Sequence, residues 1–211
     1  MLKDTGERLI LNENWNLKTK LEHIHRYTAA SELLKGKVVL DAACGSGYGS
    51  AILSQKAQRV TGVDLSKDAI DFAREQFHKD NLEYFQMSIG ELAFPDHCFD
   101  AVVSFETIEH VEKEVQELFL EQVIRVLKPD GLFIVSTPND ELLRKLTFGQ
   151  YQNPFHVCEF AEDEFDMMLK KYFKYTSFFY QTVSIASMIL KKDEDFHTGE
   201  VYGNNVKPEM E

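Results

Sequence analysis

The chain has 211 residues, 44% hydrophobic and 27% charged, which suits one sizeable α/β core and is too short for two full domains plus a linker. Its 35 acidic against 23 basic residues give a formal charge of −12, a surface that repels phosphate backbones and disfavours nucleic acid as a partner. No apolar run approaches the roughly 18 residues of a membrane span, and the start, MLKDTGERLILNENW, lacks the compact apolar segment of a secretory signal, so a cytoplasmic location is expected.

In chain order, residues 1–36 read as an N-terminal arm and a cap helix. Leu21, Ile24, Tyr27, Ala30 and Leu34 recur at helical spacing, with Thr19 as N-cap and Gly36 just past the end. A core over 37–190 follows. KVVLDA, RVTGVD, LEYFQM, FDAVVSF and LFIVST are strand-sized runs separated by turns or helical segments. The helices between them are clearest over Ser66–His78, with Ala69, Ile70, Ala73 and Phe77 on one face, and Glu112–Leu127, with Val115, Leu118, Phe119, Gln122 and Val123. This alternation implies right-handed crossovers and a mainly parallel sheet. Lys128-Pro129-Asp130-Gly131 reads as a turn that stops the second helix. Residues 139–158 form a long connection, a helix spans Ala161–Lys171, and Phe173–Tyr180 and Val183–Leu190 bring the strands to seven. The polar tail 191–211 has little to bury. Cys44, Cys98 and Cys158 are widely separated, which fits reduced thiols.

The strongest local signal is Val38-Val39-Leu40-Asp41-Ala42-Ala43-Cys44-Gly45-Ser46-Gly47-Tyr48-Gly49, a strand entering a glycine loop and then a helix. Glycines allow tight turning and close approach of a ligand to the backbone. A structural turn without a ligand is the plain alternative. Asp64 ends the next strand, where an acidic group can accept both hydroxyls of a ribose. An N-cap role for it is weakened by Ser66, which suits that place better. A dinucleotide loop wants G-x-G-x-x-G/A; here the spacing is G-x-G-x-G with Asp41 at the entrance, which suits a sulfonium or ammonium better than a pyrophosphate.

A second constellation is Glu106-Thr107-Ile108-Glu109-His110, with His156 downstream. On one helical turn Glu106, Glu109 and His110 would share a face. Two carboxylates and two imidazoles make a mixed O/N set for Mg²⁺, Mn²⁺, Fe²⁺ or Zn²⁺. A metal-free acid/base pair, with His110 or His156 as base, and a purely structural cluster stay open. His23, His78, His97 and His197 read as surface or packing residues.

VVLDAACGSGYG, VTGVDLS, FDAVVSFETIEHV and RVLKPDGLFIVSTPN together resemble the successive signature segments of class I methyltransferases, over roughly residues 20–190. The resemblance implies a single-domain Rossmann-like α/β fold with helices on both faces, an antiparallel last strand, and S-adenosylmethionine as cofactor. Asp41, Ala43, Gly45 and Gly47 would surround its methionine part. Asp64 would hold the ribose, with Leu65 on one face of the adenine and Ser88 and Ile89 on the other. Relatives often carry an acid where Ser88 stands, so that contact is weaker here. Ser104 and Phe105 would flank the methyl group, and Arg26 and Tyr27 would close over the carboxylate. The E-x-x-E-H segment with the later His is similar to that of metal-dependent O-methyltransferases, including small-RNA ribose and ubiquinone-pathway enzymes. There Glu106, Glu109, His110 and His156 would hold the ion, and Glu109, His110 and His156 would serve catalysis. Further segments resemble methyltransferases of bacterial sugar pathways. The expected function is therefore O-methylation of a small-molecule or carbohydrate hydroxyl by a monomer or homodimer. The alternatives are an RNA ribose 2′-O-methyltransferase, a catalytically silent cofactor-binding module and, last, an NAD-dependent oxidoreductase, which lacks its glycine spacing and a Tyr-x-x-x-Lys pair.

Overall fold

The computed structural model describes residues 17–139, 155–158 and 160–181. Helix α1 (Leu17–Leu33) leads into β1 (Val38–Ala42), α2 (Tyr48–Leu53), β2 (Arg59–Asp64), α3 (Lys67–Gln76) and β3 (Leu82–Gln86). Strand β4 (Phe99–Phe105), a 3₁₀ turn over Ile108–His110, α4 (Lys113–Val126), β5 (Leu127–Ser136) and α5 (Glu162–Leu169) follow. Five strands pair in the order β3-β2-β1-β4-β5, every pair parallel.

The central strands form because their side chains are apolar on both faces, as a parallel sheet covered on both sides requires. Alternation then sorts them. Val39, Val60, Ala101 and Val103 face a core with Tyr27, Leu53, Ile70 and Ala73; Leu40, Ala42, Val63 and Val102 face one with Phe119, Leu120, Val123 and Phe165. Helices α1–α3 thus cover one face, and α4 and α5 the other. Ser66 caps α3, its hydroxyl accepting from the Ala69 amide at 3.3 Å.

The structure corrects several expectations. Among the described residues the sheet has five strands, not seven. Phe173–Tyr180 is irregular and pairs with none of the described strands, and Tyr175 and Phe179 are 82% and 92% exposed. Its aromatic content is strand-like, but no neighbouring strand edge takes up its backbone. Val183–Leu190, the expected antiparallel last strand and the tail 191–211 lie outside the described residues, as does most of 139–158. Lys128–Gly131 is an excursion inside β5, since pairing passes from Phe99–Leu127 directly to Ala101–Leu132. Pro129 has no amide to give the ladder there. Thr19 lies inside α1, and Leu118 is 47% exposed because α4 turns Gln116 and Leu120 inward instead. No described helix is long and apolar enough to cross a membrane.

Candidate active site

The strand order reverses between β1 and β4, and ligands of such sheets bind at the carboxyl ends beside that reversal. The first residue beyond each of these two strands has a left-handed backbone: Ala43, with φ 64°, and Glu106, with φ 52°. Non-glycine residues pay for this conformation, and it gathers at functional sites.

The glycine loop is tied from within. The Cys44 amide donates to Val63 O at 2.9 Å and the Gly47 amide to Cys44 O at 3.1 Å. Asp64 joins the loop to the end of β2, accepting from the Gly45 amide at 2.9 Å and the Ser66 amide at 2.8 Å. Leu65, beside it, is 71% exposed, while Ile89 is buried beyond β3 and Ser88 half-buried. The Ser88 hydroxyl accepts from the Gly90 amide in its own turn at 3.2 Å. These residues fit a nucleoside: a carboxylate at a strand end beside an uncovered apolar side chain. They do not fit a pyrophosphate, because the Gly45 and Gly47 amides it would use are taken and two carboxylates flank the loop.

Asp41 anchors this cradle from inside. Fully buried, it accepts from the Tyr27 hydroxyl at 3.1 Å and the Ser50 hydroxyl at 2.5 Å. Burial pushes its carboxyl up to about 7, against the pull of both hydrogen bonds. Tyr27 lies on Gly49, where a Cβ would come within 2.1 Å of the ring, and Tyr27 packs edge-on to Phe105 at 4.9 Å. Ser104 is wholly enclosed and its hydroxyl has no partner among the described residues. Tyr27 and Asp41 therefore bind each other rather than opening onto the cleft.

Arg26 reaches past Tyr27 to Glu106, Nη1 to Oε1 at 3.3 Å. Glu106 also accepts from the Ser136 hydroxyl at 2.7 Å. His23, one turn earlier on α1, is hydrogen-bonded through Nδ1 to the Tyr48 hydroxyl at 2.7 Å. Burial, then the neighbouring Arg26 charge, lowers its imidazole to about 4. His23 and Tyr48 escaped the sequence reading; the only available signal was the i, i+4 placement of His23 and Tyr27 on one helix face.

The expected single helical turn is absent, because the 3₁₀ segment starts only at Ile108. Glu106 therefore stands apart from Glu109, His110 and His156, whose donor atoms lie within 4.8 Å of one another. The Glu109 carbonyl accepts from the Val157 and Cys158 amides at 2.9 and 3.1 Å, docking the second segment on the first. His110 Nδ1 lies 3.0 Å from Phe155 O. A carbonyl only accepts, so Nδ1 carries the proton and a neutral ring presents Nε2 as an acceptor. That Nε2 lies 3.8 Å from the Glu109 carboxylate, and the His156 ring stands edge-on to that of His110 at 4.9 Å. Glu109 is fully buried, and neither carboxylate oxygen completes a well-formed hydrogen bond with a described residue, although the Thr137 hydroxyl lies close enough to favour its charged form. Burial, then the charge of Glu106, pushes it up to about 8. A buried carboxylate beside two imidazoles fits a divalent cation.

Comparison with known proteins agrees with this geometry. Residues 40–135 match the family described as "Methyltransferase domain". The chain is 33% identical over 173 residues to a Mycolicibacterium smegmatis protein called "Probable S-adenosylmethionine-dependent methyltransferase", covering 79% of this chain and 63% of that one. It is 36% identical over 126 residues to a fatty-acid O-methyltransferase of the same organism, covering 59% of this chain and 45% of the other. The fold matches the crystal structure of the Bacillus subtilis YcgJ protein with a TM-score of 0.61 at 24% identity, covering 71% of this chain and 68% of that one. The chain thus spans less than two thirds of the length of these two curated relatives. Residues 40–135 match a methyltransferase domain, the chain is similar to S-adenosylmethionine-dependent methyltransferases, and its fold is that of the Bacillus subtilis protein.

Proposed function

We propose that the protein transfers a methyl group from S-adenosylmethionine to a hydroxyl of a small molecule. The observation that carries the cofactor is the glycine loop closed onto Asp64 with Leu65 uncovered beside it. Asp64, at the carboxyl end of β2, would take the ribose hydroxyls. Leu65 would cover one face of the adenine, with Ile89 and Ser88 on the other side. The loop from Ala43 to Gly47 would follow the methionine part, and Phe105 would border the methyl group. Asp41 and Tyr27 would shape this cradle from behind, and Ser104 would support Phe105.

Oxygen as the acceptor rests on the trio of Glu109, His110 and His156. The sulfonium is already a good leaving group, so alignment and removal of one proton are what the protein must supply. His110 is oriented for this by its bond to Phe155 O, which makes Nδ1 the donor and turns Nε2 toward the site as the nitrogen that can accept a proton. A divalent ion bound at the trio would supply a lowered hydroxyl pKa and a fixed acceptor position. The fatty-acid O-methyltransferase relative supports an oxygen acceptor in a small molecule, and a sugar hydroxyl belongs to the same class.

Calorimetric titration with S-adenosylhomocysteine in metal-free buffer tests the reading. Micromolar binding by the wild type, lost in Asp64→Ala, is expected. Binding of NAD in place of S-adenosylhomocysteine would overturn it. Binding without transfer of labelled methyl to any hydroxylated acceptor would favour a silent cofactor-binding module.

A further inference from the structure

We propose that the Arg26–Glu106 ion pair is exchanged when the cofactor binds: Arg26 passes to the cofactor's carboxylate, and Glu106, released, joins Glu109, His110 and His156 around a cation. The proposal rests on the cofactor and cation reading above and adds a coupling between the two sites.

Three observations carry it. The first is how Arg26 is held. It is largely enclosed, with 18% of its side chain exposed, and touches Glu106 through Nη1 alone, while its Nε is buried with no partner among the described residues. A guanidinium is built for two parallel bonds to a carboxylate. Here one prong is used at 3.3 Å, so a ligand carboxylate accepted by two prongs can displace Glu106. The second is place. Arg26 precedes Tyr27, whose hydroxyl binds Asp41 behind the glycine loop and whose ring packs on Phe105 at the carboxyl end of β4. The Arg26 backbone therefore sits over the end of the cradle where the methionine part would lie.

The third is what Glu106 is kept from doing. Its carboxylate is held by Arg26 and Ser136, and its backbone has left-handed φ 52°. It stands three residues before Glu109, at the start of the segment that carries the donor set. Turned from Arg26, it brings a second carboxylate to a donor set that now has one carboxylate and two imidazoles. Hard divalent cations are held more tightly by each added anionic oxygen. Cation and cofactor would therefore favour one another, and by linkage each raises the other's affinity by the same factor.

The test measures Mn²⁺ affinity from the paramagnetic resonance of the free ion. The full chain is used alone, with S-adenosylhomocysteine, and with 5′-methylthioadenosine, which keeps the adenosine and thioether and lacks the amino-acid carboxylate. S-adenosylhomocysteine is expected to tighten Mn²⁺ binding by about tenfold, and 5′-methylthioadenosine to leave it unchanged. Arg26→Ala should bind Mn²⁺ tightly without any nucleoside, and Glu106→Gln should lose the coupling while still binding S-adenosylhomocysteine. Equal Mn²⁺ affinity in the free and S-adenosylhomocysteine-bound protein overturns the exchange and leaves the cofactor assignment standing. Equal tightening by both nucleosides also overturns it, because the carboxylate is then not the trigger. Failure of S-adenosylhomocysteine to bind overturns both.

Discussion

At Asp41 a carboxylate sits where no water reaches it, held by one tyrosine and one serine. Its folded pKa of about 7 lies above the ordinary 3.8, so it binds its proton more tightly folded than unfolded. Its contribution to stability is present below the ordinary value and lost as pH rises through the folded one. Asp41→Asn keeps an acceptor for the hydroxyls without the charge. The stability of this variant relative to wild type should therefore rise between about pH 4 and 7 and level off above, by up to roughly 4 kcal/mol. Urea denaturation across that range measures it, and a pH-independent difference would mean that burial does not perturb this group. His23 and Glu109 also titrate, but they are common to both proteins and drop out of the comparison. A second prediction concerns Gly49, where an added Cβ would stand 2.1 Å from the Tyr27 ring. Gly49→Ala should cost about 1–3 kcal/mol through overpacking. It should also weaken S-adenosylhomocysteine binding, as α1 is pushed off the cradle. Much at this scale was legible: the glycine spacing, Asp41 and Asp64 are local patterns. The Arg26–Glu106 and His23–Tyr48 contacts were not, because they join segments distant in sequence through long or aromatic side chains whose partners only the fold chooses.

Among the elements, the 3₁₀ turn bearing Glu109 and His110 depends on α4. Gln116 is buried there and donates through Nε2 to Ile108 O at 3.0 Å and Val111 O at 2.9 Å, bracketing the turn. Gln116→Ala leaves both carbonyls without this donor, at a cost of about 1–3 kcal/mol. It should loosen Mn²⁺ binding while sparing S-adenosylhomocysteine, for which the proposed ribose and adenine contacts, Asp64 and Leu65, lie at the end of β2. Calorimetry with both ligands separates the two effects, and equal losses would indicate general destabilisation. The central strands were legible because apolar residues fill both their faces, and edge strand β3 because Leu82 and Tyr84 alternate inward with Glu83 and Phe85 outward. Phe173–Tyr180 misled because aromatic content is also what an exposed surface segment can carry. Lys128–Gly131 misled because a Pro-Asp-Gly run serves a turn and a strand excursion alike. Glu106–His110 has helical spacing, but the left-handed residue at its start sends the chain out of the helical path.

For the whole molecule, charge bears most directly on the acceptor. The donor trio alone would suit a ribose hydroxyl as well as a small metabolite, and the formal charge of −12 separates them. A short single-stranded RNA should show no measurable binding at physiological salt. Micromolar binding that weakens as salt rises would move the ribose reading ahead.

The strand order has a consequence for the making of the protein. Strand β1 is synthesised first and lies in the middle, so β2 and β3 complete one side of the sheet before β4 exists. A chain leaving the ribosome at that stage carries the glycine loop and Asp64 in place and an unpaired apolar edge along β1. Such an edge is a template for aggregation and a handle for chaperones until Phe99–Phe105 arrives to cover it. The seam closed at that late moment is the one where the glycine loop and Asp64 meet the segment of Phe105, Glu106 and Glu109. The proposed site is thus brought together only when β4 joins, one strand before β5 covers the open edge of β4.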